Sequence, residues 1–517
     1  MLYVLLGALL ALFIYYKIVK PAKFWDERGV THEPALPLVG NFLPAFLRRK
    51  HPVAILTELY QKYRGKRYVG FLQFNHPFLM VRDINLVKQL TVKDFDSFHD
   101  HFPFNYAKND PILGKSLLLL SGQNWKQMRA TLSPAFTANK MKNMYQLMTE
   151  CAKNFVGHFK GKEKVAVEVK DIFTRFTTDV IASTAFGIKT DSLNEPNNRF
   201  FLMAKTLGKF GLVQIVKMLV SSFVKIGIFP KDVVRFFGTI IKNNIFEREQ
   251  NGIVRPDMIH LLVQARKGQL KYESSQDEGF AVVQESQIGQ KFDQKRLTDD
   301  DIVAQAMTFF FAGFETVATA SSFMAYELAI HPEIQRKLQE EIDFVGEKCE
   351  GKASYETLLS MKYLDQVVCE SLRMWPPGFQ IERMCTKNYK IPPKNPNEKE
   401  VVLEEGMSLI IPVFALHHDP DLFPEPDKFD PERFSEANRT KIVPGSYLPF
   451  GLGPRNCIAS RFALLEIKTL FFHLLSRFDI VAIDTTQIPL KLSTWKVQLE
   501  PEKGFRLGIK PRKVTIY

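Results

Sequence analysis

From Thr298 to Pro332 the chain reads TDDDIVAQAMTFFFAGFETVATASSFMAYELAIHP, with no proline before the last position. Thr298 with Asp301 three residues on is a helix-capping signature, and the first turn that follows is acidic. Pro332 cannot follow a helical residue comfortably, so the helix ends at about His331. At about 1.5 Å per residue such a helix is roughly 45–50 Å long, the width of a whole domain. Its middle, Thr308 to Ala320, is apolar around the full circumference and should be buried. A chain carrying this helix must build its body around it.

The rest of the chain has the material for that. Its 517 residues are 45% hydrophobic and include 44 phenylalanines, enough for one large domain with a deep core. Helical patterns dominate from 85 to 260, and Pro332 can open a second helix over 332–346. Residues 67–83, RYVGFLQFNHPFLMVRD, read as a hairpin, and β-like runs such as MSLIIPVFAL (407–416) appear after 375. The fold class is therefore mainly α with a smaller β portion. Residues 264–296 are polar and glycine-dotted, a flexible connection. Residues 207–230 mix large apolar side chains with lysines, which fits either a buried helix pair or a second surface touching a membrane.

The first sixteen residues, MLYVLLGALLALFIYY, carry no charged side chain, and Lys17, Lys20 and Lys23 follow them. With Ile18 and Val19 the run approaches the lower limit of about 17 residues for a membrane span. Basic residues after the apolar run, with none before it, favour a retained anchor with a cytosolic body over a cleaved signal peptide. Pro34, Pro37 and Gly40 then make a stiff, non-helical spacer. Cys151, Cys349, Cys369, Cys385 and Cys457 are scattered and odd in number, which argues for a reducing compartment. The Asn438–Thr440 sequon would be idle there. The net charge of +13 fits an anionic membrane, an acidic protein or nucleic acid, and selects none of them.

Four groups of residues carry chemistry. Glu315 and Thr316 place a carboxyl and a hydroxyl in the most apolar stretch of the long helix, where they need a polar site. Ala312 and Gly313 beside them leave room for a ligand, although a threonine there can simply bond its own i−4 carbonyl. Glu370 and Arg373 lie one turn apart, either as a surface ion pair or as a buried pair needing a third partner such as Arg433. Trp125 and Arg129 share a helix face and could hold one anion jointly. Finally, PFGLGPRNCIAS (449–460) frames Cys457 with Phe450, Gly451, Gly453 and Arg455. The glycines permit a bulged turn over the sulfur, and an amphipathic helix starting at the cysteine would offer its N–H groups. A lone buried cysteine is the plain alternative. The adjacent His417-His418 has no cysteine nearby for a zinc site. One cysteine with an anion-binding arginine suits haem, whose iron takes a single protein thiolate.

In these motifs and their order the chain resembles the cytochrome P-450 family, specifically its microsomal members and the insect detoxification monooxygenases. The resemblance runs from the anchor to TWKVQLEPEKGF (494–505). It implies the family's triangular haem-thiolate prism behind an N-terminal transmembrane helix: residues 1–20 as anchor, 21–45 as a basic, proline-rich linker and 46–517 as catalytic domain. It makes Cys457 the axial ligand of haem b, with Arg455, Trp125, Arg129 and Arg383 at the propionates. Phe450, Gly451, Gly453, Ala312 and Gly313 also border the cofactor. It makes Glu370, Arg373 and Arg433 a structural ion-pair triad, and Thr316 with Glu315 the catalytic acid–alcohol pair. Substrate walls are expected at 98–118, 205–215, 304–316, 376–382 and 493–498, including His101, Phe102, Phe104, Phe309, Phe310, Phe379 and Trp495. The sequence departs from the family pattern at Ala459, where glycine is usual, and at Val317, where a second hydroxyl is common.

The implied activity is insertion of one oxygen atom from O2 into lipophilic substrates, whether xenobiotics or endogenous lipids. Electrons come from NADPH through cytochrome P-450 reductase, with cytochrome b5 as a second donor, on the basic side near Lys126, Arg129 and Arg455. The implied location is the endoplasmic reticulum membrane, with the body on the cytoplasmic face and no nucleic-acid partner. Two other readings share these residues: a haem-thiolate isomerase acting on peroxides without reductase, and a non-catalytic haem sensor or carrier.

Overall fold

The computed structural model of the protein describes residues 1–16, 20–101, 113–207, 230–270, 295–396 and 398–513. The long helix is there as the sequence predicts, from Asp299 to Ile330, with His331 as its C-cap. The Thr298 hydroxyl accepts from the Asp301 N–H at 3.2 Å, and the Asp301 carboxylate accepts from the Thr298 N–H at 3.0 Å. Each satisfies a donor that the first helical turn leaves orphaned. A second helix follows directly at Pro332–Lys348.

The long helix forms the centre of the larger of two apolar cores. Helices Val169–Phe186, Lys231–Asn251, Met258–Arg266, Lys362–Met374 and Ser460–Leu475 pack against it. Above its middle, Phe186, Phe200, Phe237, Phe310 and Phe314 form one aromatic cluster. The Phe237–Phe310 centroids are 4.9 Å apart and those of Phe310–Phe314 5.1 Å, close to the best range for aromatic pairs.

Among the described residues the sheet portion comprises nine strands in three sheets. They are β1 (Tyr68–Gln73), β2 (His76–Val81), β3 (Val165–Glu168), β4 (Ile381–Met384), β5 (Tyr389–Ile391), β6 (Val401–Leu403), β7 (Ser408–Ile411), β8 (Phe478–Val481) and β9 (Arg506–Pro511). The largest sheet has the order β1-β2-β7-β4, with β1 and β2 forming the expected hairpin and β7 parallel to β2. Only the first half of the 407–416 run is strand; Pro412 stops β7 and caps a short helix, Val413–His417. This sheet carries the second apolar core. Within the 21–45 stretch Trp25 is buried against the sheet, and its indole N–H donates to the Phe71 carbonyl at 3.1 Å.

A helix spans Leu2–Ile14, and Tyr3, Val4, Leu5, Leu6, Leu9 and Leu12 on it are exposed. Among the described residues, the helix long and apolar enough to cross a membrane is Asp299–Ile330, which lies inside the protein. The 207–230 segment falls outside the described residues beyond Leu207, up to Pro230, as does most of the 264–296 connection.

Candidate active site

The loop before the Ser460–Leu475 helix is built from its glycines. Gly451 and Gly453 have φ of 82° and 77°, in the left-handed region open to glycine. The turn they make lets the Cys457 N–H donate back to the Phe450 carbonyl at 2.8 Å. At Gly453 the space is also closed, since a Cβ there would sit 2.0 Å from the Thr91 carbonyl oxygen. Gly453→Ala should therefore cost roughly 2–4 kcal/mol from backbone strain and overlap. A lowered denaturant midpoint is the expected observation.

The helix starts three residues later than the sequence implies, at Ser460 rather than Cys457, with Ala459 at its N-cap. Ala459 has φ −102° and ψ 21°, which any residue adopts, so alanine replaces the usual glycine without backbone strain. Cys457 is accessible only to a cavity inside the protein, which it lines. Burial pushes its thiol pKa up; the Ala459 N–H and the Arg129 charge pull the other way. A metal cation at the sulfur is what would hold it as an anion. Among the described residues, no three His, Cys, Asp or Glu side chains cluster as a metal site.

The cavity has a volume of about 650 Å³. Phe450, Gly451, Arg455 and Cys457 line one side, and Thr308, Phe309, Ala312, Gly313 and Thr316 of the central helix line it too. The middle of that helix is thus not buried by protein all round: Ala312 and Thr316 are exposed to the cavity. Thr316 does bond its own turn, donating to the Ala312 carbonyl at 2.7 Å. The helix is unbroken through this stretch. The carbonyls of Ala312, Phe314 and Glu315 each accept a side-chain donor, from Thr316, Thr177 and Thr319 respectively. Gly313 has a packing reason, because a Cβ there would meet the Ile181 side chain at 2.9 Å.

Glu315 does not line the cavity. Its carboxylate pairs with the Lys170 ammonium at 2.8 Å, and Lys170 also bonds the Glu315 carbonyl. Phe310 points into the aromatic cluster, and the Phe379 ring meets His51 at 5.7 Å. Trp495 is 69% exposed with Arg48 over its ring. None of these three lines the cavity, whereas His101 and Phe309 do. Phe102 and Phe104 lie outside the described residues. Ile181, Thr184, Ala185 and Met258 add walls that the sequence left unmarked.

Trp125, Arg129, Arg383 and Arg455 all reach the same cavity. Arg129 spends both terminal nitrogens on Asn456, at 2.8 Å to its carbonyl and 3.0 Å to its side chain, so it secures the cysteine loop. The Arg455 guanidinium sits 4.4 Å over the Trp125 ring and gives one nitrogen to the Leu120 carbonyl at 2.8 Å. Its Nε and Nη1, and the Nε atoms of Arg129 and Arg383, are buried without a hydrogen-bond partner. Burial pulls the pKa of Arg129 and Arg383 down to about 10 and that of Arg455 to about 9. The Asp100 carboxylate lies 3.9 Å from Arg455 Nη1, and the unfilled donors of the three buried guanidiniums suit a further anion. Haem fits this set of residues, with its carboxylates at the arginines and its iron at the Cys457 sulfur.

The triad meets as expected. Glu370 and Arg373 are fully buried and bonded through two contacts of 2.7 and 2.9 Å, and Arg433 Nε lies 3.5 Å from Glu370 Oε1. The Asp430 N–H donates to the same oxygen at 3.0 Å.

A family model of cytochrome P450 matches residues 31–508 of the chain. Cytochrome P450 9e2 of Blattella germanica is 41% identical over 514 residues, covering 95% of this chain and 94% of that protein. Probable cytochrome P450 9f2 of Drosophila melanogaster is 38% identical, covering 95% of each. Cytochrome P450 6k1 of Blattella germanica is 35% identical, covering 98% of this chain and 96% of that one. With its cysteine loop, triad and cavity in this arrangement, the chain belongs to the cytochrome P450 family and is a monooxygenase.

Proposed function

We propose that the protein is a membrane-held monooxygenase of the endoplasmic reticulum that oxidises small lipophilic molecules. Its electrons come from NADPH through cytochrome P-450 reductase, with cytochrome b5 as a second donor. The observation that carries this reading is the cavity, with Cys457 on one side, the Thr316 hydroxyl on another, and walls that are otherwise largely apolar. A largely apolar site of this kind favours apolar ligands. The exposed apolar helix Leu2–Ile14, followed by lysines, supports residues 1–20 as the anchor.

When bound, haem supplies the activation of O2, and the protein supplies orientation, dryness and protons. The Cys457 sulfur would hold the metal, and Arg383 and Arg455 would neutralise the carboxylates with their unfilled donors. The Thr316 hydroxyl spends its proton on the Ala312 carbonyl, so its oxygen lone pairs face the cavity and accept a hydrogen bond there. That makes Thr316 a holder of a protonated oxygen or of a water beside the reacting site. Glu315, bound to Lys170 outside the cavity, contributes through the helix backbone only.

The test is turnover of a panel of alkyl aryl ethers by the full-length protein with reductase and NADPH. Oxygenated product that depends on NADPH supports the reading. Turnover of a lipid hydroperoxide without NADPH would mark an isomerase, and haem binding without any turnover a sensor or carrier. In the same assay Thr316→Ala should divert about 90% of NADPH consumption from product to hydrogen peroxide, the effect of removing one positioned proton-handling group. Unchanged coupling would remove Thr316 from the mechanism.

A further inference from the structure

We propose that His417 is a positioning residue for the cysteine loop, holding the Leu448 N–H with one ring nitrogen while the other is tied to Arg373. This rests on Cys457 being the ligand of the haem iron. His417 closes the short helix Val413–His417 and is completely buried. Its Nδ1 lies 3.0 Å from the Arg373 carbonyl oxygen. A carbonyl only accepts, so Nδ1 carries the proton, and in the uncharged ring Nε2 carries none. Nε2 is therefore an acceptor, and the Leu448 N–H donates to it at 2.8 Å. The His417 carbonyl in turn accepts from Arg373 Nη1 at 2.9 Å, so histidine and arginine are linked twice.

The contact leads straight into the cysteine loop. The Leu448 carbonyl accepts from the Gly451 N–H at 3.1 Å, and the Phe450 carbonyl accepts from the Cys457 N–H at 2.8 Å. Tyr447 adds a second tie to the same helix. Its ring stacks on His417 at 5.4 Å, and its hydroxyl donates to the Cys369 carbonyl at 2.8 Å. Two successive residues at the root of the loop are thus pinned to the helix that carries Glu370 and Arg373. An uncharged imidazole offers a donor and an acceptor on two different edges of one ring. Burial and the Arg373 charge both hold the His417 pKa well below its usual value, which keeps that form.

The experiment compares His417→Gln, His417→Asn and His417→Phe in the full-length holoenzyme by the carbonyl spectrum of the reduced protein. A glutamine amide reaches the Nε2 position and can accept from Leu448; an asparagine amide reaches only the Nδ1 position. The glutamine variant should keep the red-shifted, thiolate-ligated Soret band. In the asparagine and phenylalanine variants its ratio to the blue-shifted band should fall about tenfold, the worth of one buried hydrogen bond, at unchanged helical dichroism. A parental ratio in the asparagine variant, or a glutamine variant as impaired as phenylalanine, overturns the proposal. Should the variants not fold, hydrogen exchange in the unaltered holoenzyme decides it: the Leu448 amide should exchange roughly a hundredfold slower than a free amide, and exchange at the free rate overturns it. An unaltered protein without the red-shifted band would instead overturn the assignment of Cys457.

Discussion

Cys457→Ala should abolish the red-shifted carbonyl Soret band completely, because no other described side chain can take the sulfur's place. Cys457 is the one thiol on the cavity, and the four other cysteines lie elsewhere in the fold. Most of the loop's bonds do not involve the sulfur: they run from Cys457 N–H to the Phe450 carbonyl and from Arg129 to Asn456, and only the Ala459 N–H loses its partner. The variant should thus fold, keep the arginine-lined cavity and bind hemin only weakly, without thiolate character. The decisive comparison is the reduced carbonyl spectrum of variant and parent at equal haem content. A normal band in the variant would refute the ligand assignment.

Arg373→Ala should do something different and more destructive. It leaves the Glu370 carboxylate fully buried with only Arg433, at 3.5 Å, and one backbone N–H to answer it. Removing one partner of a buried ion pair costs about 3–5 kcal/mol. That is a large part of the roughly 5–15 kcal/mol that keeps a typical domain folded. Arg373 also bonds the carbonyls of His417 and Lys428, so its loss detaches two further segments. The expected result is a protein recovered largely without haem and unfolding at much lower denaturant. Arg373→Lys keeps the charge but not the two-pronged geometry, and should fall between the two. Parental stability in the alanine variant would show that the cluster is dispensable.

These expectations draw on parts of the molecule that were unequally legible in the sequence. Local signals are plain: the Thr298–Asp301 cap, the stop at Pro332, and the β1–β2 hairpin all follow from residues a few positions apart. The Glu370–Arg373 spacing was equally plain, but whether the pair was buried depended on Arg433, which is distant in sequence. The errors share one cause. An apolar residue near a cavity has two directions to point, and spacing does not choose between them. Phe310 turned to its aromatic neighbours and Trp495 to solvent. Glu315 was expected at the reacting site, yet its partner Lys170 lies 145 residues away. The neighbours of His417 in sequence carry no sign of the two backbone groups it joins, because Arg373 and Leu448 lie 44 and 31 residues away.

The burial of Trp25 sets where the folded body begins. On the helix Leu2–Ile14 the side chains of Tyr3, Val4, Leu5, Leu6, Leu9 and Leu12 are exposed, whereas Trp25 closes over Gly70, where even a methyl group would strike the indole at 2.5 Å. Any shortened form that keeps the sheet covered must therefore start upstream of Phe24. A cut only a few residues later would strip the lid from β1 and leave an aggregating edge.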